Sequence, residues 1–128
     1  MKPAVTLVGE GEATGELKAI YEELTKALGF VPNTFKAMGR TPKFLEAMVQ
    51  LDAAARIGGE IPQKYKELIC LAVAAANGCQ YCLYAHTALA KEAGASERER
   101  AEALALAAMM SAFNTYNKAT GLEIDIKP

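Results

Sequence analysis

Two cysteines and the chain's single histidine fall within one short stretch, Gly78-Cys79-Gln80-Tyr81-Cys82-Leu83-Tyr84-Ala85-His86. On a helix, Cys79 and Cys82 are i,i+3 neighbours, and His86 stands four positions after Cys82. All three therefore share one stripe. A cysteine at a helix start sits among unpaired backbone N–H groups, which favour its thiolate. Histidine is the side chain suited to taking a proton from a thiol and returning it. Glu67 lies twelve residues before Cys79 and opens an otherwise apolar helix segment. In a tight antiparallel hairpin it would come opposite His86 and orient it. Nucleophile, base and orienter are the parts of covalent catalysis.

Two other readings fit the same residues. Cys79, Cys82, His86 and Glu67 are four possible zinc ligands, though structural zinc sites usually draw cysteine and histidine from two separated knuckles. Helical cysteines are also simply buried in many proteins, and Cys70, inside Leu68-Ile69-Cys70-Leu71-Ala72-Val73, reads as core. A c-type haem attachment is excluded, because Leu83 follows Cys82 where histidine is required.

These residues need a scaffold of helices, and the start and stop signals supply one. Thr14 caps a helix through Leu28 with Leu17, Ile20, Tyr21, Leu24 and Leu28 at helical spacing, and Gly29 ends it. Pro32 or Asn33 opens a short helix through Met38. Thr41-Pro42 starts the next, with Phe44, Leu45, Met48, Leu51 and Ala55 expected inward. Ile61-Pro62 starts a helix to Ala76, Asn77-Gly78 breaks it, and a further helix runs from about Cys79 to Gly94. Ser96 and Glu99 form a capping box for a last helix reaching about Lys118, whose first-turn charges read as a solvated run. Met109, Met110 and Phe113 read as packing residues. The first dozen residues look extended. The tail Leu122-Glu123-Ile124-Asp125-Ile126-Lys127-Pro128 alternates apolar and charged residues, as an extended arm would. The expected class is all-α, a helical bundle built on the hairpin 62–76 and 79–93, in one domain over residues 1–128.

Composition bounds the partners. Hydrophobic residues are 52% of 128, a high share that suggests burial between subunits. Net charge is −1 with both signs interspersed, so neither nucleic acid nor a membrane surface is an expected partner. The longest apolar run, residues 68–76, is about half a bilayer span. With no convincing signal peptide, the expected location is cytoplasmic, where a Cys-x-x-Cys pair is more often catalytic or metal-binding than a staple.

The spacing Glu67, eleven residues, Cys79-Gln80-Tyr81-Cys82, three residues, His86 resembles the signature of AhpD-like alkylhydroperoxidases. These belong to the carboxymuconolactone decarboxylase superfamily, and the stretch from Ile61 to Ser96 is similar to that family's core throughout. The resemblance implies an all-α fold that assembles as trimers or hexamers. It implies thiol-dependent peroxide reduction, with Cys82 as attacking thiol, Cys79 as its disulfide partner, His86 as proton acceptor and Glu67 as its orienting group. A peroxide or other small molecule is then the substrate, an external dithiol the reductant, and no bound cofactor or metal is expected. The best-known members carry a second histidine where Tyr81 stands, which implies a weaker activity or another substrate. Two alternatives remain beside this one: a lactone decarboxylase of the same superfamily, and a non-enzymatic helical oligomer that senses oxidation.

Overall fold

The computed structural model describes residues 2–128 and, among them, only helices and connecting segments. The six α-helices are α1 (Gly15–Leu28), α2 (Asn33–Ala37), α3 (Pro42–Arg56), α4 (Gln63–Asn77), α5 (Gln80–Glu92) and α6 (Glu97–Thr120). The all-α expectation holds. The chain divides into two compact units between Ile57 and Gly58.

In the first unit the expected spacing of α1 is realised through Leu17, Tyr21 and Leu24, which are buried with Ala13, Val31 and Leu45. Leu28, at the end of the same stripe, is exposed beside the left-handed Gly29 that stops the helix. The segment before α1 is better anchored than its composition suggests. The backbone N–H of Val8 donates to the Lys36 carbonyl at 3.0 Å, and the Tyr21 hydroxyl donates to the Val8 carbonyl at 2.9 Å. Gly39 makes that approach possible: a Cβ there would stand 2.7 Å from the Tyr21 hydroxyl and 2.9 Å from Val8 Cβ.

The inward face expected for α3 needs correction. Leu45 is fully buried and Met48 half-buried, but Phe44, Leu51 and Ala55 are exposed. The buried stripe runs through Leu45 and Val49 instead. Asp52 and Arg56 continue that stripe as an i,i+4 ion pair at 2.8 Å, so the apolar residues one position round the helix stay outside.

In the second unit α4 packs along both α5 and α6. Glu67, Leu71 and Ala74 form its buried stripe. The predicted capping box of α6 is present: Glu99 N–H donates to Ser96 Oγ at 3.0 Å and Ser96 N–H to Glu99 Oε2 at 2.8 Å. Glu99 is not merely solvated, because its Oε1 also takes the Lys64 ammonium of α4 at 2.8 Å. The rest of α6 buries no residue; Met109, Met110, Phe113 and Tyr116 are exposed, and so are Leu122, Ile124 and Ile126 of the extended tail. Among the described residues no helix is long and apolar enough to cross a membrane.

Candidate functional site

The site is built where α4 ends and α5 begins. Asn77-Gly78 stops α4 because Gly78 adopts φ 71°, a left-handed conformation that costs glycine little. Gly78 N–H then donates to the Ala75 carbonyl at 3.2 Å and Cys79 N–H to the Ala74 carbonyl at 3.0 Å. These are the two bonds of a Schellman motif. They fix Cys79 in space before α5 starts.

Cys79 is the N-cap of α5, one residue earlier than the first-turn position the sequence suggests. Its Sγ accepts the backbone N–H of Cys82 at 3.2 Å. A sulfur thus occupies the acceptor position that Ser, Thr, Asp or Asn usually fills at a helix start. The Sγ atoms of Cys79 and Cys82 lie at disulfide distance, 2.20 Å, with 5.3 Å between the Cα atoms. Both cysteines are half-buried, so the sulfurs are held by the fold without being sealed from solvent. Cys70 stands outside this pair, half-buried on α4.

One helical turn beyond Cys82, His86 turns toward α4. Its Nδ1 lies 2.8 Å from Oε2 of Glu67, a residue 1% exposed. The hairpin therefore brings Glu67 and His86 together, as its length predicts. The His86 side chain keeps 21% of its surface, enough to exchange protons with a bound molecule. Tyr81 and Tyr84 are exposed on the same helix.

One neighbour of the site escapes sequence reasoning. Gln63, the first residue of α4, donates its side-chain amide to Oε1 of Glu67 at 2.6 Å. The signal was available in the i,i+4 spacing of Gln63 and Glu67, a pairing that puts two side chains on one helix face. Only the burial of Glu67 gives that spacing a role at the site. The buried carboxylate is thus bonded at both oxygens, as a charge removed from water must be.

As a metal site the arrangement is poor. Among the described residues no group of three or more His, Cys, Asp or Glu side chains is arranged to hold a metal ion. What the residues can do chemically is dithiol–disulfide exchange at Cys79 and Cys82 beside an imidazole–carboxylate pair.

Known proteins place this geometry in a family. The family model described as the carboxymuconolactone decarboxylase family matches residues 42–122. The crystal structure of the alkylhydroperoxidase AhpD core from Rhodospirillum rubrum superposes with a TM-score of 0.88 at 28% identity, over 96% of this chain and 94% of that one. An uncharacterized protein of Cupriavidus necator is 33% identical over 85 residues, 66% of this chain and 75% of its own. An uncharacterized protein of Haemophilus influenzae is 44% identical over 57 residues; that match spans 44% of this chain and half of the relative's length. A family model covering more than half of the chain means that the chain belongs to the carboxymuconolactone decarboxylase family, and its fold is that of an AhpD core.

Proposed function

We propose that the protein is a thiol-dependent peroxidase of the alkylhydroperoxidase type, cycling between a Cys79–Cys82 dithiol and the disulfide. The observation that carries this reading is the disulfide-distance pair at the start of α5, one turn from an imidazole held by a buried carboxylate. The solved AhpD core of the same fold supports it.

In this reading His86 takes the proton of the Cys82 thiol, through its Nε2, while Glu67 holds Nδ1. The Cys82 thiolate attacks the terminal oxygen of a hydroperoxide. The O–O bond breaks, the alkoxide takes the proton from His86 and leaves as alcohol, and Cys82 becomes a sulfenic acid. The Cys79 sulfur attacks the Cys82 sulfur, the hydroxyl leaves as water with the Cys79 proton, and the disulfide closes. One hydroperoxide and two thiols have become one alcohol, one water and one disulfide. An external dithiol restores the pair by two exchange steps and is itself oxidised to a disulfide. The capping bond from Cys82 N–H serves the resolving cysteine: it steadies the Cys79 sulfur when it carries negative charge.

Such a cycle needs a reducing compartment, in keeping with a cytoplasmic location. We read the two units as parts of one family domain. The exposed apolar residues of each unit, on α3 in the first and on α6 and the tail in the second, are surfaces through which copies would assemble as trimers or hexamers.

The test is peptide mass analysis of reduced protein after one equivalent of an alkyl hydroperoxide, with Cys82→Ser alongside. The reading expects rapid Cys79–Cys82 disulfide in the wild type, one alcohol released per disulfide, and a scarcely reactive Cys79 in the variant. Cysteines no faster than free cysteine would sink it. The family description also names lactone decarboxylation. That chemistry does not use the dithiol, so turnover of a lactone that survives Cys79→Ser and Cys82→Ser would replace the peroxidase reading.

A further inference from the structure

Glu67 holds His86 only if its own carboxylate is held. The terminal torsion of a glutamate is broad and soft, so a carboxylate bonded at one oxygen can rotate away from its partner. Burial makes that worse, because no water replaces a lost donor. In this chain the second donor comes from one turn earlier on the same helix: the Gln63 amide meets Oε1 at 2.6 Å while Oε2 meets His86 Nδ1 at 2.8 Å. The amide and the imidazole pin the carboxylate from both sides. A carboxylate accepts at both oxygens. An ionised Glu67 offers only acceptors, so in that state Nδ1 donates to Oε2 and the lone pair of neutral His86 is left on Nε2.

We propose that Gln63 is a positioning residue of the site: its amide fixes the Glu67 carboxylate so that His86 is kept in the Nδ1–H tautomer, with Nε2 as the proton acceptor for the thiol. The assignment rests on the peroxidase reading for its consequence in catalysis, but the tautomer is a property of the resting protein. Gln63 touches neither sulfur nor substrate and acts wholly through Glu67.

His86 is the chain's only histidine, so its ring nitrogens give one unambiguous pair of signals in protein labelled with ¹⁵N-histidine. The wild type is compared with Gln63→Met, which keeps length and helix preference but has no donor, and with Gln63→Glu, which keeps shape but presents an acceptor. At a pH where the ring is neutral, the wild type should show a protonated Nδ1 and an unprotonated Nε2. Both variants should move toward the Nε2–H form that free imidazole side chains prefer. Iodoacetamide alkylation of reduced Cys82 should slow by about tenfold in both, the scale on which outer partners that orient a histidine act. A wild type with Nε2 protonated overturns the assignment, as do variants with wild-type tautomer and alkylation rate, including variants that lose only thermal stability. The two readings fail separately. Absent peroxide turnover in the wild type with the tautomer change present sinks the peroxidase reading alone. Normal turnover with unchanged tautomers sinks the role of Gln63 alone.

Discussion

Oε2 of Glu67 stands 2.8 Å from Nδ1 of His86, although the two are 19 positions apart in the chain. One is the first residue of the buried α4 stripe, and the other is a partly open residue of α5. The bond ties the inner helix to the one that carries both sulfurs. Changes to either partner should therefore read out in two ways, on the fold and on the thiol.

Glu67→Gln keeps the shape and removes the charge. Its stability should stay within about 1 kcal/mol of wild type, because an amide can still bond His86. Glu67→Leu leaves Gln63 and His86 without their acceptor and should cost about 1–3 kcal/mol. Both should slow disulfide formation by peroxide. Denaturant melts and stopped-flow mass sampling separate the two effects, and a Glu67→Gln protein with wild-type peroxide kinetics would remove the carboxylate from the mechanism.

His86→Ala should lower the peroxide reaction by about a hundredfold at neutral pH, the low end of what a positioned acid–base group supplies. The deficit should narrow above about pH 8.5, where a thiol ionises unaided. A pH series of single-turnover rates measures this. A deficit that stays constant to alkaline pH would mean His86 does not serve as the thiol's base.

Gly78 carries φ 71° at the junction that presents Cys79. Its Cβ would meet nothing within 4 Å, so the cost of Gly78→Ala is conformational alone. That cost is about 1–2 kcal/mol for an L-residue forced into the left-handed region. Thermal unfolding should show it. If the junction relaxes to avoid the strain, Cys79 leaves its capping position and the disulfide becomes easier to reduce, which a glutathione titration would detect.

The Lys64–Glu99 pair ties α4 to the start of α6. The Lys64 ammonium first, and then the Ser96 backbone N–H, hold the Glu99 carboxyl below its ordinary value of 4.5. On acidification the unfolded chain therefore takes up this proton before the folded one does. The contribution is fully present above the ordinary glutamate range and is lost as pH falls through the lower, folded value. Glu99→Gln should melt below wild type at about pH 7, and the gap should narrow as pH falls below the ordinary glutamate range and through the lower, folded value. A gap that does not change with pH would mean that the Glu99 charge is not what stabilises the fold.

Much of the site was legible because its parts are local. The stripe Cys79, Cys82, His86 follows from helical spacing, and the stops at Gly29 and Asn77-Gly78 and the Ser96–Glu99 box follow from the chemistry of helix ends. The meeting of Glu67 with His86 was foreseeable from hairpin length, since a two-residue junction leaves little freedom in register. The sequence alone thus determined that the chain is helical and which residues line one face of α5.

The tertiary structure decided what those faces meet. It moved Cys79 from the first turn of α5 to its cap, because the closing bonds of α4 claim its N–H. It turned Phe44, Leu51 and Ala55 outward and set the Asp52–Arg56 pair along the buried stripe of Leu45 and Val49, which apolar spacing cannot foresee because half of that stripe is charged. It also gave Gln63 a partner by burying Glu67, for a glutamine at a helix start has no assigned role until the group below it loses its water. Helix ends and periodicity act within a turn or two of chain. Burial depends on every neighbour at once, and so it is settled only when the helices pack.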